Sequence, residues 1–86
     1  MSIVSDMIAE GLRQRSRQQA WADFPQSSAV ASAGYDWGEG TLTVTFRPFS
    51  TYRYIGVPPA TWERLLAAGS KGSFVATEVI PVYALG

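Results

Sequence analysis

Apolar residues near the start of the chain recur at helical spacing. Ile3, Val4, Met7, Ile8 and Leu12 would line one stripe of an amphipathic helix. Ser2 or Ser5 can cap its start, and Asp6 and Glu10 place negative charge where the helix dipole favours it. The stretch 13–19 is strongly polar, Trp21 and Phe24 follow, and Pro25 forces the residue before it out of the helical region. The pattern therefore predicts a helix over the first twenty-odd residues, with Trp21 on its apolar side.

From Ser27 the period changes from helical to alternating. Residues 28–35 read as a weak strand of small side chains around Val30. Asp36-Trp37-Gly38-Glu39-Gly40 reads as a hairpin turn, because glycine and aspartate supply the backbone angles such turns require. Residues 41–46 alternate cleanly, with Leu42, Val44 and Phe46 on one side and three threonines on the other. Arg47-Pro48-Phe49-Ser50 makes a second connection, and residues 51–57 predict a third strand. Pro58-Pro59 opens a helix over 61–68, with Trp62, Leu65 and Leu66 inward and Gly69 as its stop. Ser73 can cap a short final helix over 74–79, although Val75, Thr77, Val79 and Ile80 would also suit a strand.

These elements predict an α+β fold. A three-stranded antiparallel β-meander packs with a C-terminal helix, and an N-terminal amphipathic helix is added to it. Residues 1–25 form the helical extension and 26–86 the domain proper. The expected core is Val30, Leu42, Val44, Phe46, Ile55, Trp62, Leu65, Leu66, Phe74 and Ile80.

Composition narrows the chemistry. The 86 residues contain neither cysteine nor histidine. Thiolate metal sites, cysteine nucleophiles and histidine general bases are thereby excluded, so no enzyme activity, cofactor or metal is expected. A carboxylate pair remains possible in principle, and the seven acidic residues sit mostly beside turns or on helix faces. Seven basic residues balance them to a net charge of zero, which opposes strong nucleic-acid binding. No run approaches the roughly 20 apolar residues of a membrane span, and no secretory leader is recognisable. A cytoplasmic location is expected.

A set of short motifs in order adds a family resemblance. Ser27-Ser28, Gly34-Tyr35-Asp36, the Leu42-Val44-Phe46 strand, Tyr52-Arg53-Tyr54, Val57-Pro58 and the Ser70…Gly72…Phe74 run ending near Tyr83 together resemble a KTSR domain. The resemblance spans residues 26–83. It implies a short bacterial or phage domain, found free-standing and at the C-terminus of some lysyl-tRNA synthetases, for which RNA binding has been suggested. The chain departs from that pattern in its long N-terminal segment, in its Arg47–Ser50 connection, and in a last segment with Pro81 and few basic or amide residues.

Four features are candidate sites. Tyr52 and Tyr54 share one face of a strand, with Arg53 on the other. They can stack on bases with arginine at phosphate, or they can pack beneath a helix. Arg13 and Arg17 share a helix face, flank Arg15, and suit phosphate or an acidic partner as readily as a solvated helix end. The stripe bearing Ile3, Met7 and Leu12 either covers the sheet or contacts a partner, including a second copy of the chain. Trp37 at a turn exposes a large apolar side chain unless something covers it. The expected function is a non-catalytic protein-binding adaptor or inhibitor acting through Trp37 and the N-terminal stripe. The alternative is an RNA-binding accessory domain using Tyr52, Tyr54 and the arginines, Arg53, Arg13 and Arg17 among them.

Overall fold

A computed structural model of the chain describes residues 19–86. Four antiparallel strands follow one another in space as in sequence: β1 (Gln19–Asp23), β2 (Val30–Asp36), β3 (Thr41–Phe46) and β4 (Ser50–Tyr54). The expected three-stranded meander thus gains a strand in front. β1 lies where the sequence pattern continued a helix; the remainder of that expected helix lies outside the described residues.

The reason for the correction is visible in the register. Ala20 pairs with Tyr35 and Ala22 with Ala33, so both alanines face the interior beside small or flat neighbours. Trp21 pairs with Gly34 and faces the other way, 67% exposed. Alanine favours helices intrinsically, but the unpaired edge of β2 offers this segment a full ladder, and tertiary pairing outweighs a small propensity difference.

One face of the sheet is covered by the C-terminal half of the chain. Helix α1 (Pro59–Ala67) follows Pro58 and buries Thr61, Trp62 and Leu65. Helix α2 (Lys71–Phe74) is capped by the Ser70 hydroxyl, which accepts from the Ser73 amide, and widens into a π-helical turn over Val75–Val79. The short final helix is therefore helical as expected, begun by Ser70 and not by Ser73. Val75 and Val79 complete the core with Phe24, Val30, Ala33, Tyr35, Leu42, Val44, Tyr54, Val57, Trp62 and Leu65.

Three expected core residues lie outside it. Leu66 sits one residue round the helix from Leu65 and is half exposed, since only one arc of α1 meets the sheet. Ile55 falls beyond β4 on the side opposite Tyr54. Ile80 follows the buried Val79 and turns outward. Phe46 and Phe74 are partly buried at the margin of the core.

The chain closes by returning to β4. The Ile55 amide donates to the Ala84 carbonyl at 2.9 Å, and the Gly86 amide donates to the Arg53 carbonyl at 2.7 Å. Leu85 thereby stands opposite Tyr54 in an antiparallel bridge. The hydroxyls of Thr61 and Tyr83, 2.8 Å apart, fasten this returning tail to α1.

Candidate functional site

Three surfaces offer room for another molecule, and their chemistry differs. The first is a cleft of about 510 Å³ between the 23–29 connection and the junction of α1 with α2. Its cation is Lys71, and the ammonium is already engaged. Nζ donates to the carbonyls of Leu65, Leu66 and Ala68 at 3.1, 2.8 and 2.7 Å, and lies 5.1 Å from the centre of the Phe24 ring. An ammonium has three donors, and all are used, so it caps the end of α1 and offers no free N–H to a ligand.

The second is a shallow depression of about 210 Å³ on the sheet face left uncovered among the described residues. The row Trp21–Gly34–Thr43–Arg53 crosses all four strands, and the indole lies directly over Gly34. Asp36 borders it. Its carboxylate accepts from Gln19 Nε2 at 3.0 Å and from the Gly38 and Glu39 amides at 2.8 and 3.1 Å. The Gln19 and backbone bonds, with some help from the Arg53 charge, hold this carboxyl below its ordinary value. The face is polar and of mixed charge.

The third is an apolar groove of about 380 Å³ lined by Phe46, Tyr52, Tyr54, Ile80, Tyr83 and Leu85. It runs along β4, the outer strand, on the helix-bearing side of the sheet. Tyr52 and Tyr54 share this face, as their spacing requires, yet they differ in setting. Tyr54 is 4% exposed beneath the returning tail, and burial raises its hydroxyl's pKa. Tyr52 is 45% exposed and stacks edge-on against Phe46, with ring centres 5.8 Å apart. Leu85 and Ile80 in its lining are themselves 59% and 51% exposed.

The sequence-derived candidates fall as follows. Tyr52 and Tyr54 do come together, but only Tyr52 presents a ring to solvent. Arg53 points to the uncovered face, away from both. Trp37 folds back onto the sheet, edge-on to Tyr35 at 5.0 Å. Tyr35 in turn stacks on Trp62 at 6.0 Å and donates its hydroxyl to the Val57 carbonyl at 2.5 Å. One edge of the Trp37 indole is thus covered by Tyr35, while the side chain remains 42% exposed. Ile3, Met7, Leu12, Arg13 and Arg17 lie outside the described residues. The groove residues Phe46, Ile80 and Leu85 were not read as a site. Two of them looked like core, and the tail's return that brings Leu85 to Tyr54 leaves no local pattern.

No group of three or more acidic side chains able to hold a metal comes together among the described residues. No helix among them is long and apolar enough to cross a membrane.

Comparison with known proteins agrees with the residue pattern and corrects its label. The KTSC domain matches residues 26–83; the family is KTSC, and not the KTSR that the motifs were taken to resemble. A KTSC domain protein from Yersinia pestis has a similar structure, with a TM-score of 0.73 and 29% sequence identity, covering 79% of this chain and 94% of that one. A protein from Tsukamurella paurometabola is 48% identical over 50 residues, which are 58% of this chain and 75% of its own length. One from Stutzerimonas stutzeri is 45% identical over 47 residues, 55% of this chain and 66% of that protein. With its match spanning most of the four-stranded sheet and both helices, the chain belongs to the KTSC domain family.

Proposed function

We propose that this chain is a non-catalytic protein-binding module whose docking surface is the apolar groove along β4. The observation that carries the reading is where apolar surface and free charge lie. Exposed aromatic and aliphatic side chains gather at Tyr52, Ile80 and Leu85 beside the partly buried Phe46. The basic residues among 19–86 are Arg47, Arg53, Arg64 and Lys71, and three of these are engaged internally. Arg47 donates to the Ser27 and Phe24 carbonyls, Arg64 pairs with Glu78 at 2.6 Å, and Lys71 caps α1. Arg53 alone faces the uncovered sheet, with Asp36 nearby. Phosphate recognition draws most of its affinity from unengaged cations, whereas protein interfaces centre on clustered apolar and aromatic anchors. An RNA-binding accessory role through Tyr52, Tyr54 and the arginines has less support among the described residues. Arg53 lies on the face opposite the two tyrosines, and Tyr54 is covered.

The test is capture from bacterial lysate with the full chain, with and without nuclease, using wild type, Ile80→Glu and Arg53→Gln. The expected result is a stoichiometric protein that survives nuclease, persists with Arg53→Gln and is lost with Ile80→Glu. Recovery dominated by RNA, abolished by nuclease and weakened by Arg53→Gln, would replace the reading with the nucleic-acid one.

A further inference from the structure

The groove lies beside a strand edge that the chain itself has begun to extend. Bonds from Ile55 to Ala84 and from Gly86 to Arg53 show that Arg53 and Ile55 turn backbone groups outward, away from β3. In an antiparallel ladder this orientation alternates along the strand. Thr51 therefore also points its N–H and C=O outward, and neither has a backbone partner among the described residues. The intervening Tyr52 pairs inward with Val44 and sends its ring into the groove. The returning tail covers β4 only at 53–55, and Leu85 fills the groove at Tyr54. Among the described residues the same line of pairing is open at Thr51, with Phe46, Tyr52 and Ile80 as an apolar wall beneath it.

We infer that the groove binds an extended segment of a partner protein by strand addition. The segment runs antiparallel to β4 in line with residues 84–86, exchanges two backbone hydrogen bonds with Thr51, and places an aliphatic side chain opposite Tyr52. The partner's chemistry follows from what is present. The backbone edge demands an unpaired strand. The wall of Phe46, Tyr52 and Ile80 carries no charge, so the side chain inserted there is uncharged. Continuity with the tail sets direction and register, because the tail already occupies the neighbouring positions of the same edge. This inference rests on the protein-binding reading above and specifies how the groove is used.

The experiment separates the two. A displayed library of random heptapeptides is selected on the full-length protein, and the selected peptides are measured against wild type, Thr51→Pro and Ile80→Glu. Proline at 51 removes an outward N–H and the Thr51 hydroxyl, which meets the Thr45 hydroxyl at 3.1 Å on the sheet face away from the groove. The inward N–H groups that pair with β3 and the groove wall stay in place while the edge is blocked. The expected peptides alternate, with an aliphatic residue at one invariant position. Both substitutions weaken them, Thr51→Pro by roughly tenfold or more, the worth of lost backbone bonds. On binding, the Thr51 amide of the wild-type protein becomes protected from hydrogen exchange. Peptides that lose affinity with Ile80→Glu but bind Thr51→Pro unchanged would sink strand addition and leave a protein-binding groove. Peptides indifferent to both, or a library enriched no better than on Ile80→Glu, would overturn both readings. Matching thermal unfolding of the variants establishes that each is folded.

Discussion

Gly34 is small because Trp21 occupies the space above it. A Cβ there would stand 2.5 Å from the indole ring, so the ring or the edge strand must move. Because Trp21 is mostly exposed and β1 is an edge strand among the described residues, the adjustment is partial, and Gly34→Ala should cost about 1–2 kcal/mol. Thermal unfolding of a double-mutant cycle checks this. With Trp21→Ala in place, Gly34→Ala becomes neutral or mildly stabilising, since alanine loses less backbone freedom than glycine. Asp36 makes a second prediction. Its folded pKa is lowered, chiefly by Gln19 and the Glu39 amide, so the unfolded chain binds a proton more readily. The stability it lends is present above the ordinary carboxylate value, 3.8, and disappears as pH falls through the lower folded value. Unfolding followed across acid pH should show a shallower acid limb for Asp36→Asn than for wild type.

Helix ends are the weak points of the covering layer, and Lys71 holds the weakest. α1 finishes at Ala67 without a left-handed glycine cap; Ala68 is extended, and Gly69 follows outside the helix. Three carbonyls at that end accept from one ammonium, which the α2 helix carries into place. The same side chain joins the 23–29 connection through Phe24, so it ties three segments together. Lys71→Met keeps the aliphatic stem and removes the donors. It should cost about 2–3 kcal/mol, a fall in Tm of roughly 10 °C or more. Lys71→Arg should recover only part of this, because a planar guanidinium cannot converge on three carbonyls as an ammonium does. Calorimetry on the two variants distinguishes charge from shape. A merely apolar role for the stem would leave methionine as stable as wild type.

For the molecule as a whole, stability rests on apolar burial between one sheet face and one helical layer. The Arg64–Glu78 pair, with side chains 60% and 40% exposed, is worth little. Raising salt from about 50 to about 500 mM should therefore shift Tm by no more than about 2 °C, as exposed charges are screened and the core is not. Hydrogen exchange should be slowest in β2 and β3, which are paired on both sides, and faster in β1 and at Thr51 of β4. A uniform exchange pattern, or a large salt shift, would mean that the layers are held otherwise.

Local pattern and whole structure thus divide this protein between them. Alternation at 41–46, the Asp36–Gly40 turn and the Pro58-Pro59 opening of α1 were determined by the sequence, because each rests on backbone angles or side-chain period within a few residues. So was the absence of histidine and cysteine chemistry, and the shared face of Tyr52 and Tyr54. Only the tertiary structure decided that Gln19–Asp23 is a strand, since its partner edge on β2 lies more than a turn away along the chain. It alone also decided that Tyr54 is covered while Tyr52 is open, and that Ile80 and Leu85 form a wall and not a core. Both depend on the tail's return to β4, a contact between distant residues to which no local period corresponds.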